Sequence, residues 1–378
     1  MIKHRDHFHG SDLEKIETIY HIRKEDITSF SANVNPLGIS PKLREELAAK
    51  VDVIASYPDR EYTALRHAIA GYCGAEAADI VVGNGTSELI SLFIQITHPK
   101  RALILGPTYS EYEREISLTG GRTHYYPLRA QESFVLDIDE FTGRLTDEID
   151  LIVLCNPNNP TGTAITSADM RRILDACKQH HCFVLVDETY IEFVEDYEAV
   201  SSVPLCRYYN NIIVLRGTSK FFAAPGLRLG YAVCGNADLL DEISHHKSPW
   251  MVGALADAAG QIMFSDQDYI RRTKELISTE RNRLYDIFAA SGSFKPFRPQ
   301  ANFMLLEILD PAVNSHTLFD RAIRQGMMIR DCSTFPFLSD RFVRICFMLP
   351  EANDRLAACM LGTIAQTSAD PSADRSPA

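Results

Sequence analysis

The sequence has no apolar run that approaches the roughly 18 residues of a membrane-spanning helix. Its first ten residues are polar and lack the apolar core of a signal peptide. Nine cysteines are scattered without a Cys-x-x-Cys pair, which disfavours a zinc site or a disulfide framework. An excess of positive charge is also missing, because the net charge is −12, and this argues against nucleic-acid or membrane-surface binding. We therefore expect a cytoplasmic protein with reduced, mostly buried thiols and no metal.

The chain does have the length and apolar content for two domains with large cores. Its 378 residues are 46% hydrophobic and 23% charged, which is ordinary for a globular enzyme. We predict an N-terminal arm at residues 1–35, a large domain at 36–250 and a small C-terminal domain at 251–365. The segment 366–378 is rich in Ser, Ala, Asp and Pro, and we expect it to be disordered.

Short apolar runs alternate with helical periodicity between residues 60 and 235. Strands are predicted at residues 80–82, 101–105, 150–155, 182–186, 212–215 and 230–234. Such runs, separated by helices, indicate an α/β fold with a mostly parallel sheet that is covered on both faces. A helix at 269–291 would lead into a smaller α+β domain, with strands predicted at residues 302–307, 327–330 and 341–347.

A lysine follows the predicted strand at residues 212–215. Lys220 comes after small residues, and Arg228 follows eight positions later. A positioned, partly desolvated lysine amine can hold an aldehyde covalently, and the planar fork of an arginine suits a phosphate. The layout suits a lysine that binds pyridoxal phosphate (PLP) as an imine, with Arg228 on the phosphate.

A glycine-rich motif, Gly-Asn-Gly-Thr-Ser-Glu at residues 83–88, follows another predicted strand and opens an apolar helix. Free backbone N–H groups there, with the hydroxyls of Thr86 and Ser87, would form an anion cradle. An ordinary helix cap would use the same residues, so the motif alone leaves both interpretations open.

Two further motifs also end predicted strands. Asn159 lies in Asn-Pro-Asn-Asn-Pro-Thr-Gly at residues 156–162, a string that would form a rigid turn in any case. Asp187 stands at the carboxyl end of a predicted parallel strand, where α/β sheets bind ligands, with Tyr190 three residues later. Taken alone, an aspartate in this position is more often a helix cap or solvated.

Together with Tyr109, these motifs occur in one order that chance would seldom assemble. In that order the sequence resembles the fold-type-I PLP enzymes, the aspartate aminotransferase superfamily, over nearly its whole length. The resemblance implies a large domain with a sheet of the seven-stranded type. It also implies that Lys220 holds the cofactor and shuttles protons, that Asp187 pairs with the pyridine nitrogen, and that Tyr190 contacts the phenolic oxygen. The cofactor-binding residues it implies are Tyr57, Gly85, Thr86, Ser87, Tyr109, Asn159, Asp187, Tyr190, Ser219, Lys220 and Arg228.

Two positions bear on the assembly of this site. Tyr57 resembles the tyrosine that reaches the phosphate of the neighbouring subunit's cofactor, so the resemblance implies a homodimer. Gly217 departs from the pattern, since close relatives often have a serine or threonine hydroxyl there. Either Thr218 supplies that hydroxyl, or the phosphate has one donor fewer.

The resemblance also extends to the substrate. Arg344 matches the family's arginine for the substrate carboxylate, and Arg330 lies fourteen residues earlier. A bidentate guanidinium fixes an α-carboxylate and rejects simple amines. A surface salt bridge is the alternative for each arginine, and an apolar strand disfavours it.

Two subfamilies fit best. Threonine-phosphate decarboxylase of cobamide side-chain synthesis shares the His-Gly pair near the N-terminus and the Arg-Asp-Cys-Ser segment at residues 330–333. Histidinol-phosphate aminotransferase shares the motif at residues 156–162 and Tyr190. The likeness to the decarboxylase implies a phosphorylated amino-acid substrate. Either Asp12 points away from its phosphate, or the substrate differs and is serine phosphate or a phosphonate analogue. The implied substrate-binding residues are His9, Asn33, Arg330 and Arg344.

The same residues could run two reactions, because the bond at Cα that stands perpendicular to the cofactor ring is the one that breaks. If Arg330 and His9 anchor the phosphate and turn the carboxylate perpendicular, CO2 leaves. If the carboxylate lies in the ring plane on Arg344, Lys220 takes the Cα proton and transamination results. We predict a decarboxylase of threonine or serine phosphate, with an aminotransferase as runner-up. A non-catalytic ligand sensor is a third alternative, disfavoured because the acidic chain shows no added DNA-binding domain.

Overall fold

The structure is a computed structural model that describes residues 12–369. The chain divides into two compact units. The larger unit comprises Leu37–Asn159 and Thr163–Lys274. The smaller unit combines the described residues up to Pro36 with Pro160–Gly162 and those from Glu275 onward. The domain bounds given above from the sequence stay predictions.

Strands and helices account for much of the described chain. The strands are β1 (Thr28–Ser29), β2 (Ile80–Gly83), β3 (Arg101–Gly106), β4 (Arg122–Pro127), β5 (Leu151–Cys155), β6 (Phe183–Asp187), β7 (Ile212–Gly217), β8 (Gly230–Val233), β9 (Phe294–Pro296), β10 (Phe303–Ile308), β11 (Met327–Met328), β12 (Arg330–Asp331) and β13 (Phe342–Cys346). The helices are α1 (Leu13–Tyr20), α2 (Pro41–Ala49), α3 (Thr63–Cys73), α4 (Thr86–Thr97), α5 (Glu111–Leu118), α6 (Ile138–Thr142), α7 (Ser167–Gln179), α8 (Tyr197–Val200), α9 (Ala237–His246), α10 (Ala254–Met263), α11 (Gln267–Ala290), α12 (Ser315–Ile323) and α13 (Pro350–Ala369).

The larger unit is built on a seven-stranded sheet with the order β2-β8-β7-β6-β5-β3-β4. Only β8 runs antiparallel to its neighbours β2 and β7, and the other pairs are parallel. The predicted α/β fold with a mostly parallel sheet is therefore confirmed. β4 was not predicted from the sequence, because this edge strand alternates exposed and partly buried residues and lacks the apolar run of the central strands.

The apolar pattern of the sequence explains the layers of the larger unit. β5 reads Leu-Ile-Val-Leu-Cys and is buried along its whole length, as expected for a central parallel strand. α7 buries four side chains at helical spacing, and the Thr166 hydroxyl accepts a hydrogen bond from Asp169 N at its start. The carboxyl ends of the parallel strands share one edge of the sheet, so the loops after β3, β5, β6 and β7 meet there.

The smaller unit contains a four-stranded antiparallel sheet with the order β12-β13-β10-β9. Its register places Arg330 opposite Arg344 on neighbouring strands. β1 pairs with β11 in parallel, and α12 packs against α13. The helix α13 continues to Ala369, into the segment predicted as a tail, and the remainder of that segment lies outside the described residues.

Two sequence expectations about surface and redox character can be compared with the structure. All nine cysteines are free, and eight of them are buried. Between residues 12 and 369, no helix combines the length and the apolar character that a membrane crossing requires.

Candidate functional site

Asp187 is the last residue of β6 and is buried at the carboxyl edge of the sheet. Its Oδ2 accepts a hydrogen bond from the Tyr112 hydroxyl at 2.6 Å. Its Oδ1 accepts bonds from the Thr189 backbone N–H at 3.0 Å and the Thr189 hydroxyl at 2.5 Å. Burial raises the pKa of Asp187, while these donors and the charge of Lys220 act in the opposite direction. Three donors therefore stabilise an ionised carboxylate in a buried place.

Tyr112 was not among the candidates from the sequence. It is fully buried in α5, three residues after Tyr109, and the two rings meet edge to face with centroids 5.6 Å apart. Its contact with Asp187 spans 75 positions of the chain, so no local motif announces it. The only available sequence indication was the Tyr-x-x-Tyr spacing, which puts both rings on one side of a helical turn.

Lys220 lies three residues beyond the end of β7 and is half-buried. β7 pairs in parallel with β6, and this register sets Asp187 beside Leu215. The charge of Lys220 opposes the rise that burial causes in the pKa of Asp187. The structure thus brings together the predicted lysine and the predicted carboxylate.

The backbone near Lys220 is anchored by a buried ion pair. The Arg216 guanidinium donates to Glu188 Oε2 from Nε at 3.0 Å and from Nη2 at 2.6 Å, and both side chains are fully buried. Arg216 also donates to the hydroxyls of Tyr197 and Ser201. Arg216 lies on β7 and Glu188 follows Asp187, so this pair fixes the strand ends that carry Asp187 and Lys220.

A close-packed cradle forms where α4 begins. Gly85 has φ +85°, and a Cβ atom built there would lie 2.4 Å from Arg228 Nη2. A Cβ atom at Gly230 would lie 2.7 Å from Thr86 N. Only glycines let these backbones and the Arg228 side chain approach so closely. Thr86 is half-buried and Ser87 is exposed on the first turn of α4.

Gly217 belongs to the same cradle. A Cβ atom at this position would lie 3.1 Å from Thr86 Cγ2 and 3.7 Å from Ser219 Oγ, so the glycine brings Thr86 and Ser219 together. The Thr218 hydroxyl donates to the Leu229 carbonyl at 3.0 Å and is buried. Because the Thr218 hydroxyl is already bonded to a carbonyl, the structure favours a phosphate cradle with one hydroxyl donor fewer over one in which Thr218 supplies that donor.

The turn at residues 156–162 holds itself together through its first asparagines. Asn156 donates to the Ile165 carbonyl at 3.0 Å and accepts from Ile165 N at 2.8 Å. Asn158 donates to the Pro107 carbonyl and accepts from the Thr108 hydroxyl. Asn159, the predicted ligand of the cofactor, is buried in the same turn.

Three predicted aromatic residues occupy different environments. Burial raises the pKa of Tyr109 to about 12, the carboxylates of Glu111 and Asp187 add to this rise, and Arg228 opposes it. Tyr190 is buried just before the short 3-10 turn Ile191–Phe193. Tyr57 is 80% exposed and stacks on Trp250, with ring centroids 4.7 Å apart.

Two of the predicted substrate residues, Arg330 and Arg344, form a cationic cluster in the smaller unit. Arg344 is only 5% exposed, donates to the Ser31 carbonyl at 2.7 Å and lies over the Phe303 ring at 5.1 Å. Arg330 lies over the Phe335 ring at 5.1 Å. Burial and the charge of Arg344 lower the pKa of Arg330. Two guanidinium groups are therefore held beside each other in a partly desolvated place.

The remaining candidates lie near this cluster or outside the described chain. Asn33 is buried, and its carbonyl accepts a hydrogen bond from Asn302 Nδ2 at 2.9 Å. The charge of Asp12 opposes the lowering of the Arg330 pKa. His9 lies outside the described residues.

The residues of the larger unit fit PLP. A glycine-lined cradle with Arg228 suits a phosphate, a buried carboxylate suits a protonated ring nitrogen, and Lys220 supplies the amine for the aldehyde. The fold and the site together define a class of protein: an α/β enzyme whose cofactor is an aldehyde that carries a phosphate group.

A family model described as aminotransferase class I and II matches residues 25–359, and the chain belongs to this family. Membership confirms the predicted fold-type-I family and its cofactor, PLP.

Two relatives and one solved structure show which enzymes of this family the chain is similar to. The threonine-phosphate decarboxylase of Salmonella typhimurium is 31% identical over 352 residues, which cover 93% of this chain and 95% of that protein. A protein of Caldanaerobacter subterraneus that is provisionally named threonine-phosphate decarboxylase is 35% identical to this chain over 331 residues. The match covers 88% of this chain and 89% of that protein. The crystal structure of histidinol-phosphate aminotransferase from Clostridium acetobutylicum superposes with a TM-score of 0.83 at 29% identity, over 89% of this chain and 99% of that one.

Proposed function

We propose that the protein is a PLP-dependent decarboxylase of an O-phospho amino acid. It would convert L-threonine O-3-phosphate to 1-aminopropan-2-ol phosphate, or L-serine O-phosphate to ethanolamine phosphate, for cobamide side-chain synthesis. The two relatives with the threonine-phosphate decarboxylase designation support this reaction, and each covers most of the chain.

The observation that carries the proposal is the register of Arg330 and Arg344 on neighbouring strands. Two adjacent guanidinium groups repel each other, and the lowered pKa of Arg330 reflects this repulsion together with burial. Such a pair is stabilised by a ligand with two anionic groups. An O-phospho amino acid carries a phosphate and a carboxylate, whereas histidinol phosphate carries only the phosphate.

The residues of the larger unit would divide the work at the cofactor. Thr86, Ser87, Ser219 and Arg228, with the backbone at Gly85, would bind the phosphate. Asp187, held by Tyr112 and Thr189, would keep the ring nitrogen protonated. Tyr109 would stack on the ring, while Asn159 and Tyr190 would contact its phenolic oxygen.

The reaction itself needs one proton and one carbon–carbon bond cleavage. PLP, when bound, supplies a ring that accepts the electron pair left at Cα when CO2 departs. Arg330, with His9 and Asn33, would bind the substrate phosphate, and Arg344 would bind the carboxylate. Lys220 would hold the cofactor and then deliver a proton to Cα, which balances the loss of CO2.

The proposal can be tested with the PLP-loaded enzyme and three substrates in parallel. We expect CO2 from threonine phosphate or serine phosphate without any added oxo acid. Glutamate formation from 2-oxoglutarate would contradict this expectation, particularly with histidinol phosphate as amine donor. PLP binding without turnover of any of the three would instead indicate the ligand sensor.

A matched pair of variants assigns the lysine. Lys220→Ala should lose the absorbance of the covalently bound cofactor and all CO2 release, because no other amine is assigned to the aldehyde. The variant Lys247→Ala, which removes another lysine of the larger unit, serves as the control and should keep both. Retention of the absorbance by Lys220→Ala would refute the assignment of Lys220.

The aminotransferase remains the second candidate function. The structural likeness to the Clostridium acetobutylicum enzyme and the presence of Tyr190 favour it. The family likeness also supports a homodimer in which Tyr57 reaches the partner's cofactor phosphate. Cytoplasmic location belongs to the proposal as well, since a cobamide precursor enzyme acts on soluble phosphorylated substrates.

A further inference from the structure

A cavity of about 450 Å³ lies in the larger unit and shares no lining residue with the predicted cofactor residues. It lies between α3, the short turn Ile191–Phe193, α8 and the start of α11, and it opens to solvent. Its walls combine aromatic rings with one acidic and one ammonium side chain. The wall includes Tyr72, Glu192, Tyr197, Phe264 and Lys274.

Glu192 is the unusual member of this wall. It is 2% exposed, and its Oε2 accepts no hydrogen bond from the part of the chain that the structure describes. A buried polar atom without a partner costs about 1–3 kcal/mol, so such atoms normally have a ligand or water beside them. Burial raises the pKa of Glu192 to about 7, and the nearby Arg216 opposes this rise.

The cations near Glu192 do not satisfy this oxygen. Arg216 directs its guanidinium at Glu188, Tyr197 and Ser201. Lys274 lies over the Tyr197 ring, with Nζ 5.7 Å from the centroid. Within residues 12–369, Lys274 donates no hydrogen bond to Glu192 Oε2, although its charge acts on the acid. Glu192 and Lys274 therefore line the same cavity without a hydrogen bond between the ammonium group and this oxygen.

We propose that this cavity binds a small zwitterion, whose ammonium group approaches the Glu192 carboxylate and whose anionic group contacts Lys274. Such a ligand matches both charges and leaves the cavity neutral overall. The rings of Tyr72, Tyr197 and Phe264 suit the alkyl groups around the ammonium and add cation–π attraction. The volume lies within the usual range for small-molecule sites.

The test must separate this cavity from the PLP site, where primary amines react with the cofactor. The probe is 4-(dimethylamino)butanoate, because its tertiary amine cannot form an imine with an aldehyde. Binding to the PLP-loaded enzyme is measured by titration calorimetry at about pH 8, above the pKa of Glu192. The carbon isostere 5-methylhexanoate keeps the shape and the carboxylate of the probe but lacks its ammonium group.

We expect the zwitterion to bind and the carbon isostere to bind at least tenfold more weakly. Glu192→Gln should weaken the zwitterion at least tenfold, since it removes the charge and keeps the shape. The matched control Glu195→Gln removes an exposed carboxylate three residues away and should leave affinity unchanged. The absorbance of bound PLP should stay constant throughout the titration.

Three results would overturn the inference. Absence of binding by the wild-type protein would mean that water alone serves the Glu192 oxygen. Equal affinity of wild type and Glu192→Gln would place the probe elsewhere, and so would a change in PLP absorbance on binding. Equal affinity for zwitterion and carbon isostere would reduce the cavity to an anion site at Lys274.

Discussion

At the scale of single residues, Tyr112 and Thr189 are what make a buried Asp187 usable. Without these donors, burial would raise the pKa of Asp187 further, and a protonated carboxyl group could not hold a proton on the cofactor ring. Whether the Asp187 carboxyl group is ionised therefore depends on these neighbouring donors as much as on its position at the end of β6.

Tyr112→Phe removes one of those donors and leaves the ring in place. We expect PLP to remain bound and kcat for CO2 release to fall about tenfold, the equivalent of roughly one pKa unit on Asp187. Tyr125→Phe is the control, because the Tyr125 hydroxyl donates to Glu113 rather than to Asp187. An unchanged kcat in Tyr112→Phe would show that Thr189 alone is sufficient.

Glu192 has a separate consequence for stability. Its pKa is raised from 4.5 to about 7 in the folded protein, so folding favours the protonated form. The resulting stability is complete below pH 4.5 and is lost as the pH rises through 7. Between pH 5 and pH 8 the free energy of unfolding of the wild type should fall, relative to that of Glu192→Gln, by on the order of 3 kcal/mol.

Urea unfolding at pH 5 and pH 8 measures this difference directly. Glu195→Gln serves again as the control, and its stability should follow the wild-type protein at both pH values. If the pH dependence of Glu192→Gln matched that of the wild type, Glu192 would titrate at its ordinary pKa.

At the scale of elements, the phosphate cradle depends on the close approach of β2, β7, β8 and α4, which glycines make possible. Gly85→Ala places a Cβ atom 2.4 Å from Arg228 Nη2 and strains a backbone with φ +85°. We expect PLP affinity to fall at least tenfold in a titration of the apoenzyme. Gly226→Ala, two positions before Arg228, is the control, because its Cβ would meet no atom within 4 Å. Equal affinity in both variants would exclude this cradle as the phosphate site.

The elements also show what the sequence could and could not reveal. The central strands were predictable because β5, β6 and β7 are continuous apolar runs, and their ends carry the motifs around Asp187 and Lys220. The edge strand β4 was missed because its exposed and partly buried residues alternate and leave no continuous apolar run. The support of Asp187 by Tyr112 was also missed, since that contact depends on how α5 packs against the sheet.

At the scale of the whole molecule, the segment from Val51 to Tyr57 exposes apolar side chains that a lone subunit would leave in water. Ile54 is 63% exposed and Tyr57 is 80% exposed. Clusters of this kind usually mark an interaction surface. The proposed homodimer, in which Tyr57 reaches the partner's cofactor phosphate, would cover this surface.

Ile54→Glu should therefore convert a dimer into a monomer, because it buries a charge at the interface. Light scattering coupled to size-exclusion chromatography gives the mass. The control is Leu118→Glu, which changes an apolar side chain that is 67% exposed at the end of α5. A monomeric wild type, or an Ile54→Glu variant that stays dimeric, would place the interface elsewhere or remove it.

The central claim concerns which bond at Cα breaks, and one labelled substrate tests it. L-Threonine O-3-phosphate with ¹³C in its carboxyl group is incubated with the PLP-loaded enzyme in D2O. Decarboxylation predicts ¹³CO2 in equimolar amount with an amine product that carries one solvent deuteron at Cα. Label retained in an oxo acid, with transfer of the amino group to 2-oxoglutarate, would contradict the account.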